Sequence, residues 1–370
     1  MMKEGWVRKK IKDICDKASS NIVQNKVMEN NGDYPLYGAS GFVKCLDFYH
    51  RDEPYIGIVK DGSGVGRVNV YPAYSSLVGT MQYVIPKNGF LLGYIKYVLQ
   101  SLNLAHFASG AAIPHIYFKD YGECTVLIPP LSEQESIVAE LDKLNEILAK
   151  KQEQLKELDR LGQAIFYDMF GDPILNENGW EIDVWKKMFD TRLGKMLDKK
   201  KQVVTDRKLY YLGNSNVLWG DFNLKSLNSM SFSEREIEQL KLKKGDLLIC
   251  EGGDAGRCAI WEEDNSEILF QKAIHRARIK DRSVLDIRYV QALLFEMKRL
   301  GGLKNYLSKA TIEHLTGEKL NTLQIPVPPI TIQQSFAQRM EQIESQKLKI
   351  IQSLKDVQQL LDYTMNKYFG

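Results

Sequence analysis

Residues 61–66 read DGSGVG and are followed by Arg67, a glycine loop with a cation beside it. Such a loop cradles a phosphate or a nucleotide when a helix follows, because the ligand then faces the free N–H groups of the helix start. Here RVNVYP follows, with the alternation of a strand, so the loop reads as the turn of a β-hairpin. A second version stands at 251–261, EGGDAGRCAIW, where Gly256 and Arg257 answer Gly66 and Arg67, and Trp261 answers Tyr71. Arg67 and Arg257 are thus candidates to meet a polyanion at equivalent places in two related hairpins.

Other cations are grouped. Lys199, Lys200, Lys201, Arg207 and Lys208 crowd one stretch suited to phosphate, or simply to a solvated loop. Arg276 and Arg278, with Lys280, alternate along a strand-like segment, which puts them on one face and makes a basic sheet face near nucleic acid. His115 and His314 sit in matching loops, GAAIPHIYFKDY and SKATIEHLTGEKL, where each either touches a ligand or orders its own loop. The chain has no HExxH, no GxxxxGK[ST] and no Asn/Asp-Pro-Pro-aromatic tetrapeptide; its two Pro-Pro pairs follow Ile128 and Val327. The last absence argues against methylation of an amine by this chain alone. Cys15, Cys45, Cys124, Cys250 and Cys258 form no CxxC pair or His-linked zinc spacing, and fit structural thiols in a reducing, cytoplasmic setting.

The elements that must position these residues repeat. Residues 131–171 and 330–370 align without a gap at an offset of 199: Pro129 and Pro130 fall on Pro328 and Pro329, Gln134 on Gln333, Ser136 on Ser335, and Gly171 on Gly370. Each copy predicts one long helix. Ser132 with Glu135, and Thr331 with Gln334, have the spacing of a capping box, and Gly171 before Asp172-Pro173 supplies a stop. Ile137, Leu141, Leu144, Leu148, Leu155, Leu158 and Ile165 keep a heptad seam in the first copy, interrupted by Lys151. Phe336, Met340, Ile343, Ile350, Leu354, Val357, Leu361 and Tyr368 keep one in the second, interrupted by Lys347. A narrow seam needs a partner. The other copy supplies it, and the second helix, leaving a domain that the first one enters, is expected to run back antiparallel with the globular regions at opposite ends.

The expected fold is therefore α+β: two mixed α/β domains, 1–130 and 172–329, separated by an antiparallel two-helix coiled coil of 131–171 and 330–370, in a pseudo-twofold tandem repeat. Helix candidates at 91–103 and 286–298 match between the domains, as do the strand-like CTVLIPP and QIPVPP leading into the long helices. The long helices carry net −4 and +1, so of the total +3 the remainder holds +6, a mild lean towards a polyanionic partner. No signal-peptide core opens the sequence and no apolar run approaches the roughly 18 residues of a membrane span.

The chain resembles the specificity (S) subunit of type I restriction–modification systems. The likeness rests on IPPLSEQESIVAELDKL and VPPITIQQSFAQRMEQI at the helix starts, on DMFGD and KYFG at their ends, and on KLKKGDLLICEGGDAGRCAIW with the weaker IVKDGSGVGRVNVY. The resemblance implies that each globular domain is a target recognition domain reading one half of a bipartite site in double-stranded DNA. It implies that the helices set the spacing and dock two methyltransferase (modification) subunits, and that restriction/translocase subunits complete the complex. S-adenosylmethionine, ATP and Mg are then expected in those partners, with no cofactor, metal or catalytic residue in this chain. The competing reading is a non-catalytic coiled-coil scaffold joining two peptide- or protein-binding domains.

Overall fold

The computed structural model describes residues 5–110, 113–196, 207–264, 267–308 and 313–370. It divides into two compact units, 1–153 with 350–370, and 154–349, so each long helix contributes to both.

Both units are built on one plan. In the first, a four-stranded antiparallel sheet has the order Cys15–Ser19, Met81–Pro86, Tyr55–Val59, Val68–Tyr71. In the second the order is Phe189–Leu193, Ile274–Ile279, Leu247–Cys250, Cys258–Ile260. The inner strands YIGIV and LLIC are continuous apolar runs because both of their faces are covered. Each unit adds a three-stranded sheet whose middle strand pairs antiparallel with one neighbour and parallel with a two-residue strand. These are Gly41–Leu46, Tyr34–Gly38, Ser76–Leu77 and Asn228–Phe232, Arg207–Leu212, Leu269–Phe270. A two-stranded ribbon then joins the start of each domain to the strand before its long helix, Val7–Lys10 with Thr125–Ile128 and Glu181–Val184 with Gln324–Val327. The helices Leu92–Ser101 and Ile287–Arg299 bury Tyr94 and Tyr289 in the main core of their unit.

The long helices span Leu131–Phe170 and Ile330–Phe369. They begin two residues earlier than the capping-box spacing suggests, so Ser132 and Thr331 lie inside the first turn. Proline takes the cap position instead: the carbonyl of Pro130 accepts from the N–H groups of Glu133 and Gln134 at 2.9 and 3.0 Å, and that of Pro329 from Ile332 and Gln333 at 3.0 and 3.3 Å. Gly171 ends the first helix with φ +74° and donates to the Tyr167 carbonyl, the left-handed stop that the sequence predicts.

Within each unit the two helices run antiparallel. In the second, Phe166 packs on Phe336, a methyl-bearing residue at Gly162 would sit 3.1 Å from Met340 Cε, and Lys347 pairs with Asp159, so one helix descends as the other ascends. In the first, Tyr368 donates to Glu140 at 2.7 Å, and Leu361, Met365, Tyr368 and Phe369 pack on the cluster that holds Ile137 and Leu141. Burial is not uniform along the seam. Ile137, Leu141, Leu144, Phe336 and Ile343 are buried, whereas Leu148, Leu155, Leu158, Ile165, Met340, Ile350, Leu354, Val357 and Leu361 are half-buried. Two helices alone leave the flanks of a seam wet; domain residues cover it only near its ends. There the buried stripe broadens to include Phe166 and Phe170, which stack around Tyr289 and Phe336.

The repeated glutamine of the helix start ties domain to helix. Gln134 accepts from the Leu91 N–H at 2.9 Å and donates to the Pro129 carbonyl at 3.0 Å. Gln333, fully buried, accepts from the Asp286 N–H at 2.9 Å and donates to the carbonyls of Pro328 and Val284 at 2.6 and 3.0 Å. Each bond joins the cap of a domain helix to the cap of a long helix. Substituting Gln333→Leu keeps the volume and removes the partner of three backbone groups, one buried and two part-buried, so a loss of about 2–3 kcal/mol is expected. Chemical denaturation of the purified chain checks this; an unchanged midpoint would remove the glutamine from the account.

Candidate nucleic-acid interface

The two glycine turns close in the same way. Gly66 N–H donates to Val59 and Val59 N–H to Arg67, at 2.8 and 3.0 Å; Gly256 donates to Cys250 and Cys250 to Arg257, at 3.0 and 2.7 Å. Gly66 and Gly256 have φ of +87° and +93°, and a β-carbon would lie 2.6 Å from the Ala105 nitrogen in one and from Leu303 in the other. These turns are hairpins, as RVNVYP implies, and what packs on them is the beginning of a short 3-10 helix, Leu104–Phe107 in one unit and Lys304–Tyr306 in the other.

The histidine loops brace the turns. Ser109 and His115 exchange backbone hydrogen bonds at 2.9 and 2.8 Å, Gly62 donates to the Pro114 carbonyl, and His115 Nδ1 lies 2.7 Å from Asp61 Oδ1. In the second unit Ser308 donates to the His314 carbonyl, Leu315 to that of Glu251, and the His314 ring lies against Gly252. Both histidines therefore sit where a loop is ordered against a turn.

The arginines separate. Arg67 is exposed and folds back to donate to the carbonyls of Gly64 and Ser63 at 3.2 and 3.3 Å. Arg257, its counterpart, has a side chain only 20% exposed, donates to the Asn214 carbonyl at 2.9 Å and lies 3.9 Å from Asp254. Its expected role as an open cation is corrected: the Asn214 loop lies over it. Arg276 and Arg278 do share one face of Ile274–Ile279, but that face is also covered, by the segment around Gln239 and Lys241. Arg276 is 4% exposed and donates to Asp190 at 2.8 Å and to the Gln239 carbonyl at 3.3 Å. Arg278 grips Asp246 with two bonds of 2.6 and 2.7 Å and reaches the Lys241 carbonyl. Burial lowers the Arg276 pKa, while the hydrogen bond to Asp246 raises that of Arg278. The expected basic sheet face is taken up by two ion pairs, each with one buried partner, Arg276 in one and Asp246 in the other.

What remains available is elsewhere. Lys208 and Tyr210 project from the outer face of Arg207–Leu212, opposite Ser231 and Ser229, while Arg207 pairs with the exposed Glu267 at 3.0 Å. Such a surface pair is weak and can be exchanged for a phosphate. Lys199, Lys200 and Lys201 lie outside the described residues. Lys243, Lys244 and Arg282 line an open cleft of about 550 Å³, where Arg288 is already held by Glu262, Glu341 and Glu344. KLKKGD carried that signal in the sequence. Among the described residues no three His, Cys, Asp or Glu side chains gather as a metal site requires. Burial pushes the thiols of Cys15 and Cys250 up to about 12 and about 11, away from reactivity.

A feature that sequence reading missed is an aromatic patch on the first unit. The Tyr49 ring lies 4.8 Å from Tyr34 and 5.2 Å from Tyr74, both edge to face, with Phe48 and Phe42 exposed on the same unit. The three tyrosines come from separate segments, so only the density of rings in YPLYGASGFVKCLDFYH hinted at it.

Comparison with known proteins adds a family. The model of the type I restriction modification DNA specificity domain matches residues 3–159 and again 178–358. A Haemophilus influenzae protein named as a type I restriction enzyme specificity subunit is 22% identical over 354 residues, covering 90% of this chain and 88% of its own. The MjaVIII specificity subunit of Methanocaldococcus jannaschii is 22% identical over 331 residues, covering 83% and 76%. The fold is shared with the type I restriction–modification S subunit of M. genitalium, at a TM-score of 0.61 and 14% identity over 99% of this chain and 96% of that one.

Proposed function

The chain belongs to the type I restriction modification DNA specificity family, and we propose from this that it selects the DNA sequence on which a type I complex acts, each of its two domains reading one half of a split target. One observation carries this reading: the family pattern occurs twice, and each occurrence has its own complete sheet, braced glycine turn and helix. Two readers that share a frame but differ in surface suit a target of two unlike halves. The long helices set the spacing between those halves and dock two modification subunits, with restriction subunits beyond them. The chain itself is not catalytic; S-adenosylmethionine, ATP and Mg belong to the partners. No described helix is long and apolar enough to cross a membrane.

The cations on the open faces supply sequence-independent, salt-sensitive affinity, and polar or aromatic side chains read base edges. Co-expression with the modification subunit, followed by genome-wide mapping of methylated bases, tests the proposal. A split motif is expected. A continuous motif would refute the two-reader arrangement, and an absence of DNA affinity together with an absence of modification partners would favour the scaffold reading.

Docking leaves its own trace. Leu360 and Tyr363 stand on the outer side of the second long helix, 51% and 67% exposed, less than one turn apart. Exposed apolar residues at that spacing suit a protein partner. Leu360→Asp with Tyr363→Asp is expected to abolish co-purification with the modification subunit while shifting folding stability by less than about 1 kcal/mol. Undiminished co-purification would place the dock on another face.

A further inference from the structure

The two domains share their strand order and the backbone of their closing turns and histidine braces, and a shared backbone cannot by itself distinguish two unlike half-sites. Discrimination must lie where the domains differ. The segment entering the inner strand Tyr55–Val59 is DFYHRDEP, residues 47–54; the segment entering its counterpart Leu247–Cys250 is dominated by Lys241, Lys243 and Lys244 and has no aromatic residue.

The aromatic version is built rigidly. Arg51 and Ser75 exchange backbone hydrogen bonds, each 3.2 Å, and the His50 N–H donates to Ser76 Oγ at 2.9 Å. Tyr55 and Ser75 join their hydroxyls at 2.8 Å beneath, and Ser75 donates to the Pro72 carbonyl at 2.6 Å. The Arg51 guanidinium lies over the Tyr83 ring, 5.1 Å from its centroid. On this frame stand Tyr49, 40% exposed, and Tyr74, 53% exposed. Tyr74 has φ +55°, a left-handed conformation that costs a non-glycine residue about 1–2 kcal/mol. A strained, exposed tyrosine held in a fixed edge-to-face array is the kind of backbone outlier that gathers at binding sites.

The segment around the rings is net acidic: Arg51 stands against Asp47, Asp52 and Glu53, burial lowers the His50 pKa, and Asp47 is held by Asn30. A phosphate-tracking site would be strongly basic, as the lysine segment of the second domain is. Rings and hydroxyls without net charge suit base edges: a tyrosine edge meets a thymine methyl, and its hydroxyl donates to or accepts from a base.

We propose that Tyr34, Tyr49 and Tyr74 form the base-reading surface of the first domain, contacting one half-site of double-stranded DNA. This rests on the DNA-specificity function proposed above. The test compares the methylated motif of the full complex carrying Tyr49→Ala with Tyr74→Gly against that of the wild type, each mapped across the host genome. Positions in one half-site are expected to become degenerate, with discrimination there falling about tenfold or more, while the other half keeps its sequence. Tyr74→Gly alone, which suits the backbone conformation and relieves strain, is expected to relax the same half to a lesser degree, so the result does not hinge on stability. An unchanged motif overturns the proposal, including the case where the patch serves a protein partner and only co-purification suffers. Equal loss in both halves also overturns it, because that is the mark of a folding defect or a general phosphate contact. A wild-type complex with a continuous motif fails the split-target function itself, separately from the patch.

Discussion

Replacing Arg278 with alanine is expected to destabilise the second domain by about 3–5 kcal/mol, a large share of the stability of an ordinary domain. The reason is Asp246, whose side chain is 1% exposed and whose two oxygens are met by Arg278. Oδ2 also accepts from the Lys243 N–H at 2.8 Å, which pins the turn before the inner strand Leu247–Cys250. Removing the guanidinium leaves a buried carboxylate with one backbone partner and only Arg276, which makes no hydrogen bond to it, as a nearby countercharge. Arg278→Lys keeps the charge and loses the two-pronged fit, so an intermediate loss is expected. Combining Arg278→Met with Asp246→Leu is expected to recover much of the loss, since removing both charges also removes the desolvation cost. Denaturant titration of the three variants provides the measurement. Should Arg278→Ala unfold like the wild type while its DNA affinity and salt dependence drop, the arginine would be a phosphate contact after all.

This arginine also shows how far the sequence could be read. Alternation of Arg276 and Arg278 is local and was legible, because strand side chains switch faces every residue. Whether their face is open is not local. It is decided by Asp190, Gln239, Lys241 and Asp246, which arrive from other strands and from the turn after a short helix. Arg257 repeats the lesson: its likeness to Arg67 was legible, and the Asn214 loop that buries it was not. The long helices were readable for the opposite reason. Their heptads and their gapless duplication are written within each segment, and antiparallel pairing follows from the order of the chain. Their starts at 131 and 330 match the sequence, but the cap lies two residues before Ser132 and Thr331, whose hydroxyls have the spacing of a cap, because the carbonyls of Pro130 and Pro329 already take the first helical N–H groups. The tyrosine patch was hidden because Tyr34, Tyr49 and Tyr74 meet only after two sheets have formed.

Shortening both long helices together gives the second large expected effect. Residues 148–154 of the first helix lie opposite about 353–359 of the second, by the antiparallel pairing of Asp159 with Lys347 and of Glu140 with Tyr368. Deleting both segments removes one heptad from each seam and brings Leu155 to the place of Leu148, so the apolar rows still face each other. Seven residues shorten a helix by about 10 Å, the length of roughly three base pairs at 3.4 Å each, and turn it by only about 20° from register. If the helices measure the target, the unspecified spacer of the methylated motif is expected to contract by about that amount while both half-site sequences stay as they were. Three base pairs also rotate one half-site by roughly 100° about the duplex axis, so methylation is expected to slow, and the motif rather than the rate is the readout. A spacer of unchanged length would show that the distance is set by the docked subunits. Altered half-sites would show that the helices shape the reading surfaces as well as their separation.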